Sequence, residues 1–509
     1  HYATGKIEVQ LDSVLTLKHV IQPLIVDVEL LDDDDFSNQY QLKVNRFNMG
    51  LGENNFVKGT AHIRNSDAPF LNADIEANMS LKKLGELLPS AYMELRDGDF
   101  NMDLTYAAPL RDTMNAENYF FNANIDGYAE MNQGYLFYNY RDFKIENING
   151  KFRFDNRALY IDNIDLNLND NQLIAKGESK DFFPFFLKPN RRANIVMNVN
   201  SPSFDFGNFT APHGLGKDSI DLQESIVRAE PDTTINVFVK TGSYIDLLLA
   251  KGSIDMTTTV NELRYNKFLA EDFFGNISIH PDSVQLKKVN MEIANGVCSM
   301  NGSITNIVLH EPKMQLSADM EGHDLKELFH QLGFYDQMPL SSENVEGLGF
   351  ASLTINADVN SNYAILPETM QGDVVVKLSG GELMDVDAFD RVPRFLAKKR
   401  NLDHILMDTI LVNGQIIGSN LYIDEFDVHS SAFGFSVTGV YNFANAAETK
   451  ILYAVPFSNL YKRYFTLAQL NGDKVKRKGM KLNLERHNKK GKKKTRWRLR
   501  GKGSYKEVD

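Results

Sequence analysis

Asp385, Asp387 and Asp390 are the closest this chain comes to a reactive constellation. Carboxylates in a DxDxxD spacing could serve phosphoryl chemistry. Asp387 also stands where a helix over 388–397 needs its N-cap, and capping explains it better. The run from Asp32 to Asp35 lacks the alternate spacing of a calcium loop and reads as a solvated hairpin tip. The histidines are scattered, and His280, His310, His404 and His429 have no ligand-like spacing around them. Cys298 is the sole cysteine, so no internal disulfide can form, and a buried core thiol is expected. There is no HExxH, no Gly-rich phosphate loop, no GxSxG elbow and no CxxC. The expectation is a protein that is not an enzyme, with no catalytic residue, no metal and no cofactor.

The distinctive residues are instead apolar. Leu159, Ile161, Ile164, Leu166 and Leu168 alternate, take one odd step, and alternate again before Gly177. Period two means a strand with one face against oil and one against water. A β-bulge or a tight turn supplies the odd step, and the step is expected to exchange the faces. The spacing recurs at Leu42, Val44, Phe47, Met49 and Leu51 before Gly59. It recurs at Val284, Leu286, Val289, Met291 and Ile293 before Gly302, and at Leu421, Ile423, Phe426 and Val428 before Gly439. The chain therefore reads as a repeat array of sheet.

A second strand follows each glycine. A short helix is expected after three of these: at Leu81, Leu84 and Leu88 behind Ser80, at Leu325–Leu332 behind Asp324 with Glu327 closing a capping box, and at 457–464. In the remaining copy Pro202 and Phe204–Phe206 make a helix doubtful. Residues 208–233, rich in Gly, Pro and charge, read as the longest loop. Helices this few and short cannot roof so much apolar strand, so either a second sheet or a curl leaving a groove must cover it.

Length bounds the class: 509 residues make two to four ordinary domains or one long repeat protein. Hydrophobic content of 43% excludes a disordered chain. The formal charge is −12, yet residues 474–502 are almost purely basic, so the remainder is strongly acidic and nucleic acid is not the general partner. Met480, Leu482 and Leu484, then HNKKGKKK, then Trp497 and Leu499 read as a hairpin with a basic tip. That tip is either a solvated edge or a surface for phosphate head groups. No apolar run reaches the length of a spanning helix. The chain opens on His1 in strand-like sequence, and a signal or anchor preceding it is expected.

The segment Ser430-Ser431-Ala432-Phe433-Gly434-Phe435-Ser436-Val437-Thr438-Gly439, with Asn413-Gly414 and Leu421-Tyr422-Ile423 before it, resembles the C-terminal region of the AsmA-like family. Gly380-Gly381-Glu382-Leu383 is similar to the same region. The resemblance implies a bacterial envelope protein with an inner-membrane helix and a periplasmic body. That body would be an elongated, twisted antiparallel sheet, mainly β, curled into an open groove with a few capping helices. It implies residues 1–370 as repeating groove and 371–509 as the family's C-terminal region.

The implied function is phospholipid transfer between inner and outer membranes. Alternatives are an assembly factor for outer-membrane proteins, using the C-terminal hairpin, and a structural β-solenoid. Expected partners are phospholipid and either membrane, with no nucleic acid. The expected lipid-binding residues are the repeat positions Leu159, Ile161, Leu166, Leu168, Val284, Leu286, Met291, Ile293, Leu421, Ile423, Phe433, Phe435 and Val437. The odd step leaves open which members of each set face inward.

Overall fold

Alternation dominates the sequence, and the chain folds accordingly as a mainly β protein with an open, antiparallel sheet. The structure is a computed structural model. It describes residues 5–11, 14–15, 20–21, 23–32, 40–64, 69–87, 93–110, 123–139, 143–180, 182, 194–209, 252–280, 282–307, 312–332, 342–360, 365–384, 403–432, 434–444, 448–456, 481–489 and 492–500. Phe433, Asp33–Asp35, the helices expected over 388–397 and 457–464 and the loop over 210–233 lie outside these residues.

The chain divides into two compact units, His1–Val260 with Ile277–Pro281, and Asn261–Asn276 with Asp282–Asp509. The boundary expected at 370/371 falls inside the second unit.

The first unit begins with β1 (Gly5–Leu11), a small hairpin of β2 (Val14–Leu15) and β3 (Val20–Ile21), and β4 (Leu24–Asp32). It continues through β5 (Tyr40–Gly50), β6 (Phe56–Arg64), β7 (Phe70–Ser80) and α1 (Leu81–Leu87). Then come β8 (Met93–Pro109), β9 (Asn124–Tyr138), β10 (Phe143–Asp155), β11 (Ala158–Leu168), β12 (Asn171–Ser179) and β13 (Asn194–Asp205). β1 pairs with β4, and from there each strand pairs antiparallel with the next. A 3-10 turn, Phe206–Phe209, stands where the sequence left a helix in doubt.

β14 (Ser253–Tyr265) and β15 (Phe268–His280) follow in the chain. The second unit then runs β16 (Ser283–Ile293), β17 (Gly296–Thr305), β18 (Lys313–Asp324), α2 (Leu325–Leu332), β19 (Val345–Asp358) and β20 (Gln371–Met384). It ends with β21 (His404–Leu406), β22 (Ile410–Ile417), β23 (Asn420–Val428), β24 (Phe435–Asn442), β25 (Lys450–Pro456), β26 (Lys481–Lys489) and β27 (Lys492–Arg500). From β16 the ladder is again sequential and antiparallel, with β20 flanked by both β21 and β22.

Both α-helices among the described residues start where their sequence signals put them. The Lys83 N–H donates to Ser80 Oγ at 3.2 Å, and the Glu327 N–H donates to Asp324 Oδ1 at 3.0 Å. The capping box behind Asp324 stays open, which corrects the sequence reading. The Asp324 N–H donates to the Ala294 carbonyl at 2.8 Å, and the Glu327 carboxylate accepts from Gln331 Nε2 at 3.1 Å. With the Asp324 donor already satisfied, Glu327 gains nothing by turning back.

Each helix is anchored by its first residue. Leu81 is 0% exposed, and Leu325 is buried as well. α1 sets Leu84 and Leu87 against Leu51, Ala77, Met79, Phe100 and Met102. α2 contributes Leu325 and Phe329 to a core with Val345, Leu383, Ile405, Met407, Ile410, Val428, Ala432, Phe435 and Val437.

Candidate functional site

The odd step of the repeat is a β-bulge in all four copies. The register slips between Val44 and Phe47, Ile161 and Ile164, Leu286 and Val289, and Ile423 and Phe426. In each, two residues oppose one on the neighbouring strand. Ile161 pairs with Gly177 and Ile164 with Ala175, and residues paired directly across a ladder share a face. The five apolar residues of β11 therefore stand on one face.

This corrects the expectation that the odd step exchanges the faces. The bulge absorbs the extra residue, and two consecutive polar residues turn outward together. These are Asp162-Asn163, Lys287-Lys288 and Asp424-Glu425, all exposed, and Asn45-Arg46, of which Arg46 is exposed. In each copy the described apolar positions of the repeat therefore stand on one face of the sheet.

The recurring glycine lies opposite the bulge. Gly177, Gly302 and Gly439 pair with Ile161, Leu286 and Ile423, the residues just before it. Gly59 pairs with Phe47, just after it. A Cβ at Gly177 would lie 2.7 Å from the Val196 carbonyl oxygen, and one at Gly302 would lie 2.8 Å from that of Gln315. At Gly59 and Gly439 it would collide with the carbonyls of Asp74 and Lys450. The next strand approaches the bulge too closely for any side chain.

With the faces in phase, apolar rows cross each unit. In the first, one row passes Val9, Val26, Phe47, Gly59, Ile75, Leu104, Gly127, Phe154 and Leu159 on successive paired strands. In the second, a row passes Leu286, Gly302, Leu316, Ile355, Gly372, Ile416, Leu421 and Tyr441. The opposite face is polar. Lys58 pairs with Glu76 at 2.8 Å, and the Arg153 guanidinium lies 4.2 Å from the Tyr160 ring centre.

The expected lipid-binding residues are distributed along these faces. Leu159, Met291, Ile293, Phe435 and Val437 are buried. Ile161, Leu166, Leu168, Val284, Leu286, Leu421 and Ile423 are only half-buried. Phe435 and Val437 belong to the core packed under α2, and Leu421 packs with Ala357, Met370 and Ile416. In the first unit Phe47, Ile75, Leu104 and Phe154 are half-buried too. Greasy side chains thus remain partly open to solvent along rows several strands long.

The apolar face withholds water from the polar groups that stand on it. Burial pushes the Tyr106 phenol up to about 12, and raises that of Tyr441. Burial is also the main cause raising the Cys298 thiol, with the nearby Asp319 charge adding to it. Cys298 is buried, as its strand context led us to expect, and it pairs with Met291 and Met320.

One feature gave no sequence signal. His323 is 0% exposed, with Nδ1 2.6 Å from the Ile293 carbonyl oxygen and Nε2 3.1 Å from that of Val297. It ties the end of β18 to the β16–β17 turn, and its partners lie far off in sequence. Beside it an open recess of about 560 Å³ is lined by Glu271, Asp324, Lys326, Glu327, His330 and Gln331 among others. Among the described residues, no cluster of His, Cys, Asp or Glu is arranged to hold a metal, and no helix is long and apolar enough to cross a membrane. Comparison with protein-family models, with curated proteins and with solved structures found no match to this chain.

Proposed function

We propose that this chain shelters phospholipid acyl chains along its apolar sheet face and carries them between the inner and outer membranes of a bacterial envelope. In this reading it is a periplasmic protein of the AsmA-like kind. One observation carries it: apolar rows cross successive strands with their large side chains half-exposed rather than sealed. A soluble protein seldom leaves so contiguous an apolar surface uncovered without a ligand for it. Each methylene sheltered there gains about 0.8 kcal/mol, so one long acyl chain supplies substantial affinity. The face offers few polar groups to fix one position. Attachment without a fixed register lets a chain slide along the rows.

The test is direct. Protein expressed in bacteria and purified without detergent should carry phospholipid, identified by mass spectrometry of an organic extract. A lipid-free preparation that also fails to take up a fluorescent phospholipid from vesicles would sink the proposal.

A further inference from the structure

Ten Lys and Arg residues stand against one Glu between Lys481 and Arg500, in a chain whose formal charge is −12. The strand register sorts them. Along β27, Lys492, Lys494, Arg496, Arg498 and Arg500 occupy one face, while Lys493 at the tip, Thr495, Trp497 and Leu499 alternate onto the other. Trp497 pairs with Leu484, and Leu484 with Tyr453. Leu499 pairs with Leu482, and Leu482 with Val455. Tyr453 in turn pairs with Val437, on the apolar face of the second unit. The apolar face therefore runs to β27, and that strand carries the cationic row on its reverse. Among the described residues β27 pairs only with β26.

We propose that this hairpin docks on the surface of an anionic phospholipid bilayer. Cations on one face and Trp with Leu on the other are what a segment at a membrane interface requires. The basic groups meet phosphate, and an indole favours the head-group level. A nucleic acid would use the cationic row alone and leave the apolar row idle. The acidic remainder of the chain is screened beyond about 10 Å at moderate salt, so the hairpin's own charge decides the encounter. This deepens the lipid-sheltering reading and rests on it for the purpose of docking, though not for the docking itself.

The experiment is flotation of the full chain with two kinds of vesicle, pure phosphatidylcholine and an equal mixture of phosphatidylcholine with phosphatidylglycerol. Binding is expected only to the mixture, weakening as salt is raised. A variant with Lys492→Gln, Lys494→Gln, Arg496→Gln, Arg498→Gln and Arg500→Gln should bind the mixture at least about tenfold more weakly. Equal binding to both vesicles would overturn the proposal, as would an unweakened variant or tighter binding to duplex DNA than to the mixture at the same salt. If thermal melting shows that the variant does not fold, the vesicle comparison and the salt titration of the unaltered chain decide. Extracted lipid is measured on the same preparations. Vesicle binding without carried lipid would sink the sheltering reading alone, and carried lipid without vesicle binding would sink docking alone.

Discussion

Ile161 stands directly across the ladder from Gly177, one step before a bulge that sets Asp162 and Asn163 together on the outer face. The pairing keeps Leu159 and Ile161 in phase with Ile164, Leu166 and Leu168. Without the bulge, strict alternation over the same residues would send one group outward.

Deleting Asp162 should therefore be tolerated far better than inserting an alanine after Asp165. The deletion removes the extra residue and leaves all five apolar residues in strict alternation on one face, whereas the insertion forces Leu166 and Leu168 onto the polar face. Asp162→Ala, on an exposed side chain, should change stability by less than about 0.5 kcal/mol. Urea unfolding of the deletion and insertion variants checks this, and equal midpoints would refute the assigned role of the bulge.

Gly177→Ala should destabilise the first unit by about 1–3 kcal/mol, because the new methyl meets the Val196 carbonyl at 2.7 Å and the Met197 Cβ at 2.9 Å. Gly302→Ala should behave alike in the second unit, where the Gln315 carbonyl lies at 2.8 Å. Chemical denaturation with hydrogen exchange would localise each loss to its own strands.

His323→Ala should cost about 2–4 kcal/mol, since a buried ring N–H to a backbone carbonyl is lost and a cavity opens. His323→Gln, able to reach one of the two carbonyls, should recover part of that loss. Thermal melting of both variants provides the comparison.

Tyr106 makes stability fall at high pH. Its phenol stays neutral in the folded protein up to about 12, against 10.0 for the unperturbed group. The neutral form is the one folding favours, so its contribution is complete below pH 10 and is lost as pH rises toward 12. Tyr106→Phe should show a shallower decline across that window, read from unfolding midpoints at stepped pH.

Under the proposed sheltering role, Leu104→Glu, on the apolar row, should lower the phospholipid carried by the purified protein several-fold, because a carboxylate there would face acyl chains. Asp103→Asn, on the outer face of the same strand, should leave it unchanged. Both are read from the extracted lipid per mole of protein, and equal loss in both would remove the distinction between faces.

Local signals in this chain are dense. Ser80 and Asp324 cap the helices that the spacing placed after them, and the repeat marked a bulge in each of its four copies. Such features depend on residues a few positions apart. The capping box failed at Glu327 because the Asp324 N–H is taken by Ala294, thirty residues earlier in the chain. His323 left no trace in the sequence for the same reason: its carbonyl partners belong to another hairpin.

The sequence alone determined that this protein is a ladder of amphipathic strands with a glycine answering each odd step, because period two and turn chemistry are properties of neighbouring residues. Only the tertiary structure decided that every odd step keeps its apolar residues on one face. A side chain's face follows from the residue it pairs with, and that pairing is made between strands rather than along one.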